Sequence, residues 1–306
     1  GTTRNLQGSV PSYTTAPVSE WLGSHVYAAL GIPVHETVLG IRDGRIVCAC
    51  RDFTFPDSRL VNFHDLKNSL SDDEPGFTED ASTGSGVVLA DVRSAIHRIP
   101  VLRSIDGVSD RFWDMFVVDA FIRNIDRNNT NWGVLRNPRG EFSLAPVYDN
   151  GNSFNNKRTE SGIERRLANP DLIRQDALDV RSCYVTDRGK PIAPLKYLAS
   201  GQDEECTKAL DRFMERYDPR SFHDLLDSIP SMSHGLTVVP DGFHEYHRRV
   251  CDYRYEHAFM EAWRELHPTV GFPSSPEASV PEPLPDPDPS VLPSSSVPTC
   301  FDGPGM

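Results

Sequence analysis

The chain has 306 residues, 38% of them hydrophobic, and a net charge of −13. That length suits one large domain or two moderate ones, and no stretch approaches the ~20 apolar residues that a membrane helix needs. So acidic a surface repels phosphate backbones, which argues against intrinsic nucleic-acid binding. Residues 1–17 are polar and lack both apolar periodicity and the basic-then-apolar pattern of a secretory signal, so they read as a loop or a truncated end. The chain opens on Gly1, as a processed or fragmentary chain does, and the missing signal predicts a reducing, cytoplasmic setting.

A helix is predicted from Ser19. Ser19 is the expected cap, Glu20 suits the positive helix end, Leu22, Val26 and Leu30 recur at helical spacing, and Gly31 is the stop. Residues 34–41 and 45–50 form two short apolar runs around Asp43-Gly44, a hairpin signal. Cys48 and Cys50 on the second run share one strand face. Without a second pair at zinc spacing, they read as ordinary small apolar residues rather than ligands. Residues 71–86 are acidic and small and read as a connecting loop, including Thr83-Gly84-Ser85-Gly86, a glycine-rich run that lacks a third glycine at Leu89 and so reads as a linker. Residues 87–99 are helical in spacing. The clearest helix is 111–122, whose pairs Phe112/Trp113, Phe116/Val117 and Ala120/Phe121 form a wide apolar stripe.

A polar loop, 124–131, follows. Two strands, 132–135 and 142–147, are predicted around the turn at residues 137–140. The remainder to Leu266 is mostly helical in pattern, best at 206–217, 222–229 and 243–266. The tail from Pro268 holds eleven prolines, many serines, and no Lys or Arg. It cannot bury a core and is expected to be disordered.

Chemistry concentrates between residues 124 and 151. Asp126 and Asn131 lie five apart in the polar loop, and Asp149, in Asp149-Asn150-Gly151, stands eighteen residues after Asn131, beyond a hairpin. Phosphoryl transfer from ATP asks for this order. One carboxylate takes or orients the proton of the attacking hydroxyl, an amide oxygen holds Mg²⁺, and a second carboxylate bridges metal and phosphates. Asp and Asn are also common turn formers, so the local reading as plain turns stays open. Two other readings fail. As a calcium loop starting at Asp126, the sixth and twelfth positions are Asn131 and Asn137 instead of Gly and Glu. Asn128-Asn129-Thr130 fits a glycosylation acceptor, but no export signal accompanies it.

At these residues the chain resembles the HipA-like serine/threonine protein kinases, in the CtkA-related branch. The likeness is carried by 18–25 (VSEWLGSH), 30–34 (LGIPV), 49–53 (ACRDF), 112–116 (FWDMF), 124–127 (NIDR), 131–133 (NWG) and 145–151 (APVYDNG), and spans roughly residues 12 to 265. It implies a protein-kinase-like α+β fold. A partial N-terminal lobe (18–83) with a helix and β-hairpin would precede a mainly helical catalytic lobe (84–267), followed by the acidic Pro/Ser-rich tail (268–306). It also implies ATP and Mg²⁺ as cofactors, Asp126 as catalytic base, and Asn131 and Asp149 as metal ligands. A protein is the implied substrate, and a small antitoxin-like protein a conceivable partner. Glu20 falls on a family glutamate that would orient the phosphate-binding lysine; a favourable charge at a helix start explains it equally well.

Three departures stand out. Asn128 replaces the family's usual His two residues after the aspartate, which implies tuning of the catalytic loop rather than its loss. Arg123 stands where a small residue is usual, and would crowd the loop or contact phosphate. The family's ATP-binding lysine and phosphate-covering loop lie upstream of residue 18, where this sequence has no lysine; its first is Lys67. The expectation is therefore a kinase with an incomplete nucleotide lobe, whether truncated, complemented by a partner, or reduced to a non-catalytic binding protein. A small-molecule kinase would share the same loop chemistry.

Overall fold

The computed structural model describes residues 15–71 and 86–268. The expected N-terminal loop (but for residues 15–17), most of the 71–86 connection with its proposed lobe boundary, and nearly all of the tail lie outside the described residues.

The first helix, α1 (Ala16–Ala29), starts three residues before the expected cap. Pro17 presets the helical φ in its first turn, and Thr15 ties the chain to the Asn156 carbonyl through its backbone N–H at 2.8 Å. Ser19 is thus a buried helical residue, not a cap. Leu22, Val26 and Tyr27 bury one face, and Gly31 ends the helix at φ +69°. Gly23 is needed where it stands: a Cβ there would come within 2.8 Å of Asn150 Cβ, so α1 packs directly on the Asp149 loop.

The hairpin β1 (Thr37–Arg42) and β2 (Arg45–Cys50) turns at Asp43-Gly44, both at positive φ, as its sequence demands. The first strand begins later than its apolar run suggests, because Val34 is used instead for a parallel bridge to Val147. Next come β3 (Arg59–Asn62) and α2 (Phe63–Ser71). A two-residue strand β4 (Val87–Val88) leads into α3 (Leu89–Arg98) and the short α4 (Pro100–Arg103).

Helix α5 (Val108–Ile122) is the centre of the molecule. From Met115 to Ile122 every residue is buried, while Asp110 in its first turn stays exposed. At its C-terminal end Phe121 meets Phe213, Tyr217, Phe222 and Phe259, with ring centroids 4.7–5.7 Å apart.

Strands β5 (Gly133–Arg136) and β6 (Phe142–Leu144) extend β3 into an antiparallel sheet of order β3-β5-β6. Gly133 permits this, since a Cβ would sit 2.2 Å from the Val61 carbonyl oxygen. The second half follows with α6 (Glu160–Leu167), α7 (Pro170–Leu178), β7 (Tyr184–Val185) parallel to β4, and α8 (Pro194–Ser200). Helices α9 (Glu204–Arg216) and α10 (Pro219–Asp227) each start on an aspartate whose side chain accepts a backbone N–H, Asp203 and Asp218. They therefore begin two or three residues before their expected starts. After the small hairpin β8 (Met232–Ser233) and β9 (Leu236–Thr237), the predicted helix 243–266 is split. It runs as α11 (Phe243–Arg254), a π-helical turn (Tyr255–Phe259) and α12 (Met260–Leu266). The turn delivers Phe259 into the aromatic cluster around Phe121.

Candidate active site

The loop after α5 is held by its own side chains. Asn124 accepts the Asp126 N–H at 3.1 Å. The Asp126 carbonyl accepts the Asn128 N–H at 2.8 Å and the Asn131 side-chain amide at 2.7 Å. Asn128 donates to Asp126 Oδ1 at 3.0 Å, and its own oxygen accepts the Thr130 N–H at 2.9 Å. Asp126 therefore carries an oriented carboxylate. Its other oxygen is met from the far side by Asn152 Nδ2 at 2.9 Å.

Arg127 joins this loop to the Asp149 loop. It is 1% exposed, and its guanidinium uses all three nitrogens. It pairs with Asp119 Oδ2 at 2.9 Å, donates to the Asn131 carbonyl at 3.0 Å, to the Tyr148 carbonyl, and to Asn150 Oδ1 at 2.6 Å. Tyr148 and Asn150 flank Asp149, so the residue following Asp126 grips both neighbours of the second carboxylate. Tyr148 closes the arrangement with its hydroxyl, which donates to the Thr130 carbonyl at 3.0 Å. Asp149 itself sits in the left-handed region at φ +59°, a conformation that Asp tolerates better than most residues.

Glu20 braces the same loop from α1. Its Oε2 accepts the Asn150 N–H at 2.7 Å, and its Oε1 meets His35 Nε2 at 2.8 Å. With the helix starting at Ala16, Glu20 lies a full turn inside it. Compensation of the helix end is therefore excluded as its role. His35 is in turn fixed by its backbone N–H to the Val147 carbonyl at 2.9 Å.

The electrostatics are those of a site short of positive charge. Burial, then Glu20 and Asp126, push the Asp149 carboxyl above its ordinary value against the pull of Arg127. By surface area Asp149 is exposed, so its crowding comes from the walls around an open mouth rather than from enclosure. Burial works against the Arg127 charge, but Asp119 and Tyr27 outweigh it and the guanidinium is held more strongly protonated than usual. Burial raises the Cys48 thiol to about 12, and raises Cys50 as well. A divalent hard cation fits the donor set. Asn131 spends its NH₂ on the Asp126 carbonyl, its oxygen accepts from the Thr130 hydroxyl at 3.2 Å with a second lone pair to offer, and Asp149 lies among carboxylates that such a cation would neutralise.

The structure thus brings Asp126, Asn128, Asn131, Asp149 and Glu20 into one region. Arg123 behaves differently from expectation. It caps α5 at φ +57° and its side chain donates to the Asp179 carbonyl at 3.3 Å, an engagement away from the 124–131 loop. Lys67 is fully buried on α2, with Nζ 3.9 Å from Asp91. Sequence reasoning missed Asp119, Arg127, Asn150 and Asn152. Asp119 left a signal, as the one charged residue in the last two turns of an otherwise apolar helix.

An Asp-x-x-x-x-Asn loop at the end of a buried helix, answered by an Asp beyond the next hairpin, is the arrangement of a kinase-like α+β fold. No protein-family model matches the chain. The serine/threonine-protein kinase CtkA of Helicobacter pylori is 34% identical over 224 residues, 72% of this chain and 66% of that protein's length. The crystal structure of the H. pylori proinflammatory kinase CtkA aligns with a TM-score of 0.74 at 29% identity, covering 84% of this chain and 89% of that one. HipA of Shewanella oneidensis, solved with HipB and operator DNA, aligns at a TM-score of 0.43 and 12% identity, over 82% of this chain and 58% of that one. The chain belongs to the HipA-like serine/threonine kinase family. Among the described residues no helix is long and apolar enough to cross a membrane.

Proposed function

We propose that this chain carries the catalytic lobe of a protein kinase that transfers the γ-phosphoryl group of ATP to a Ser or Thr hydroxyl. The observation that carries the reading is the grip of Arg127 on the Tyr148 carbonyl and Asn150 side chain, which ties the Asp149 loop to the residue after Asp126. In this reading Asp126 accepts the hydroxyl proton, with Asn128 and Asn152 fixing its two oxygens. Asn131 and Asp149 would hold Mg²⁺. Glu20 is a positioning residue that steadies the Asp149 loop through the Asn150 N–H. Bound Mg²⁺ supplies neutralisation of the phosphate charge, and the protein supplies placement.

Transfer of label from ATP to the chain itself and to a Ser/Thr-rich protein tests this. Asp126→Asn should abolish transfer while leaving the Mg²⁺-ATP thermal shift in place, and Asp149→Asn should remove both. A shift that survives Asp149→Asn would sink the assignment. A binding protein without transfer is the second reading. It is favoured by Lys67 being buried beside Asp91, while the buried Arg127 is a cation that draws on Asp149. A wild-type shift without any transfer would select it.

A further inference from the structure

Beside the candidate active site, Glu20, His35 and Cys50 bring an oxygen, a nitrogen and a sulfur within 4.8 Å of one another. They come from three separate elements. Glu20 is on α1, His35 on the segment before β1, and Cys50 at the end of β2. Cys48 lies two residues before Cys50, on the same face of β2, and its thiol interacts with both Cys50 and Glu20. The phosphoryl-transfer reading uses only one oxygen of Glu20 and neither cysteine.

We propose that Glu20, His35, Cys48 and Cys50 form a binding site for a thiophilic divalent cation, best matched by Zn²⁺. The donor set of two thiolates, one imidazole and one carboxylate is a zinc set, and a tetrahedral ion takes such ligands at about 2.0–2.3 Å. Sulfur ligands also separate this site from the oxygen-only set at Asn131 and Asp149, which suits Mg²⁺. Closure needs little movement. His35 is held by the bridge between Val34 and Val147, and the Val147 N–H donates to the Pro33 carbonyl at 2.9 Å. Glu20 is held by the Asn150 N–H. The end of β2 has to draw in toward Glu20 and His35, and the His35–Glu20 hydrogen bond of 2.8 Å has to open to admit the ion.

The consequence is a clamp. Glu20 Oε1 turns toward His35 while Oε2 stays on the Asn150 N–H. An ion taken by Oε1 would therefore fasten the hairpin to α1 without releasing the Asp149 loop. Each ion also displaces two thiol protons to solvent, so binding weakens in acid.

Cobalt(II) substitution gives a readout independent of ATP. The chelator-stripped wild-type chain is titrated with Co²⁺ under reducing conditions, then with Zn²⁺. The expected result is thiolate-to-cobalt charge-transfer absorbance, bleached by one equivalent of Zn²⁺. Cys50→Ser and Cys48→Ser should each reduce the band, and the double variant should remove it. Zn²⁺ at about a hundredfold excess over Kd should raise the wild-type Tm by roughly 5–10 °C, and the double variant should lose that rise while keeping its own metal-free Tm. The Mg²⁺-ATP shift of the double variant should match wild type, which separates this site from the kinase reading. Absence of the band, or a band that persists in the double variant, overturns the proposal.

Discussion

Two regions that meet at the C-terminal end of helix α5 are built on different physics. Around Phe121 the chain packs aromatic rings against one another, and polar groups are few there: the buried Arg254 donates to the Phe121 carbonyl. Around Arg127, five residues beyond the helix, every contact is a directional bond to a group that would otherwise be buried and unpaired. The first region contributes stability by area and shape. The second ties loops together by satisfying charge, and buried ion pairs of this kind are weak evidence for net stability but costly to break. Comparison of the two shows where the fold spends precision: the cleft is framed by the polar hub, and the aromatic cluster carries it.

The largest effect should come from a change that touches neither frame. Asp126→Asn keeps size but removes the proton acceptor, and it gives up one of the two amide donors, Asn128 or Asn152, that meet the carboxylate. Transfer should fall by about 10²–10⁴-fold with Tm falling by about 2–4 °C, the worth of one hydrogen bond, checked by labelled-phosphate transfer and calorimetry. Next come two substitutions of equal cost and different meaning. Phe121→Ala should destabilise by about 3–5 kcal/mol, and so should Arg127→Met, which strands the Asp119 carboxylate. Denaturant unfolding would show them alike. Mg²⁺-ATP affinity of the folded fraction should separate them, unchanged in Phe121→Ala and lost in Arg127→Met. Equal affinities would erase the distinction between frame and support.

A third change probes the aromatic side by pH. His247 is buried against Phe154 and Phe243, and burial, with Arg254 and His244 adding, lowers its pKa from 6.5 to about 3. A depressed base gives stability that is fully present above pH 6.5. It is lost as the pH falls from there toward 3, because the unfolded chain takes the proton first. The loss should be on the order of a few kcal/mol. His247→Phe should flatten that acid limb in Tm measured against pH; an unchanged limb would place the acid sensitivity elsewhere. Asp149 works with the other sign. Its raised carboxyl means that folding binds a proton there, so Asp149→Asn should raise the metal-free Tm slightly while destroying Mg²⁺-ATP binding. In wild type that binding should fail in acid at a higher pH than an ordinary carboxylate would set.

Much of this was legible in the chain, for reasons of range. The hairpin at Asp43-Gly44 and helix α5 are written in neighbouring residues, and so were read nearly to their ends. Asp126, Asn131 and Asp149 were visible because an ordered spacing survives in one dimension. Arg127, Asn150 and Asn152 were not, because their meaning is a contact between two loops about twenty residues apart, and such polar residues look like any turn. Glu20 stood between two readings, a family glutamate at the site and a charge at a helix start; Pro17 starts α1 early, which places Glu20 a full turn inside the helix. The zinc-type cluster was hidden for the same reason as Arg127. Cys48 and Cys50 lacked a second pair nearby, and the remaining donors arrive from α1 and the segment before β1.

The smallest expected effect concerns Asn128. Its amide does two jobs, donating to Asp126 Oδ1 at 3.0 Å and accepting from the Thr130 N–H at 2.9 Å and the Thr130 hydroxyl at 2.5 Å. A histidine there keeps one of them. Its ring has one donor and one acceptor when neutral, but a ring nitrogen aimed at Asp126 turns the other away from Thr130. Asn128→His should therefore hold the Asp126 carboxylate and loosen the loop. Transfer should change by less than about tenfold, and stability by roughly the net worth of one hydrogen bond, about 1 kcal/mol. A loss as large as that of Asp126→Asn would mean that Asn128 takes part in the chemistry, and that the hub at Arg127 is not sufficient to position the base.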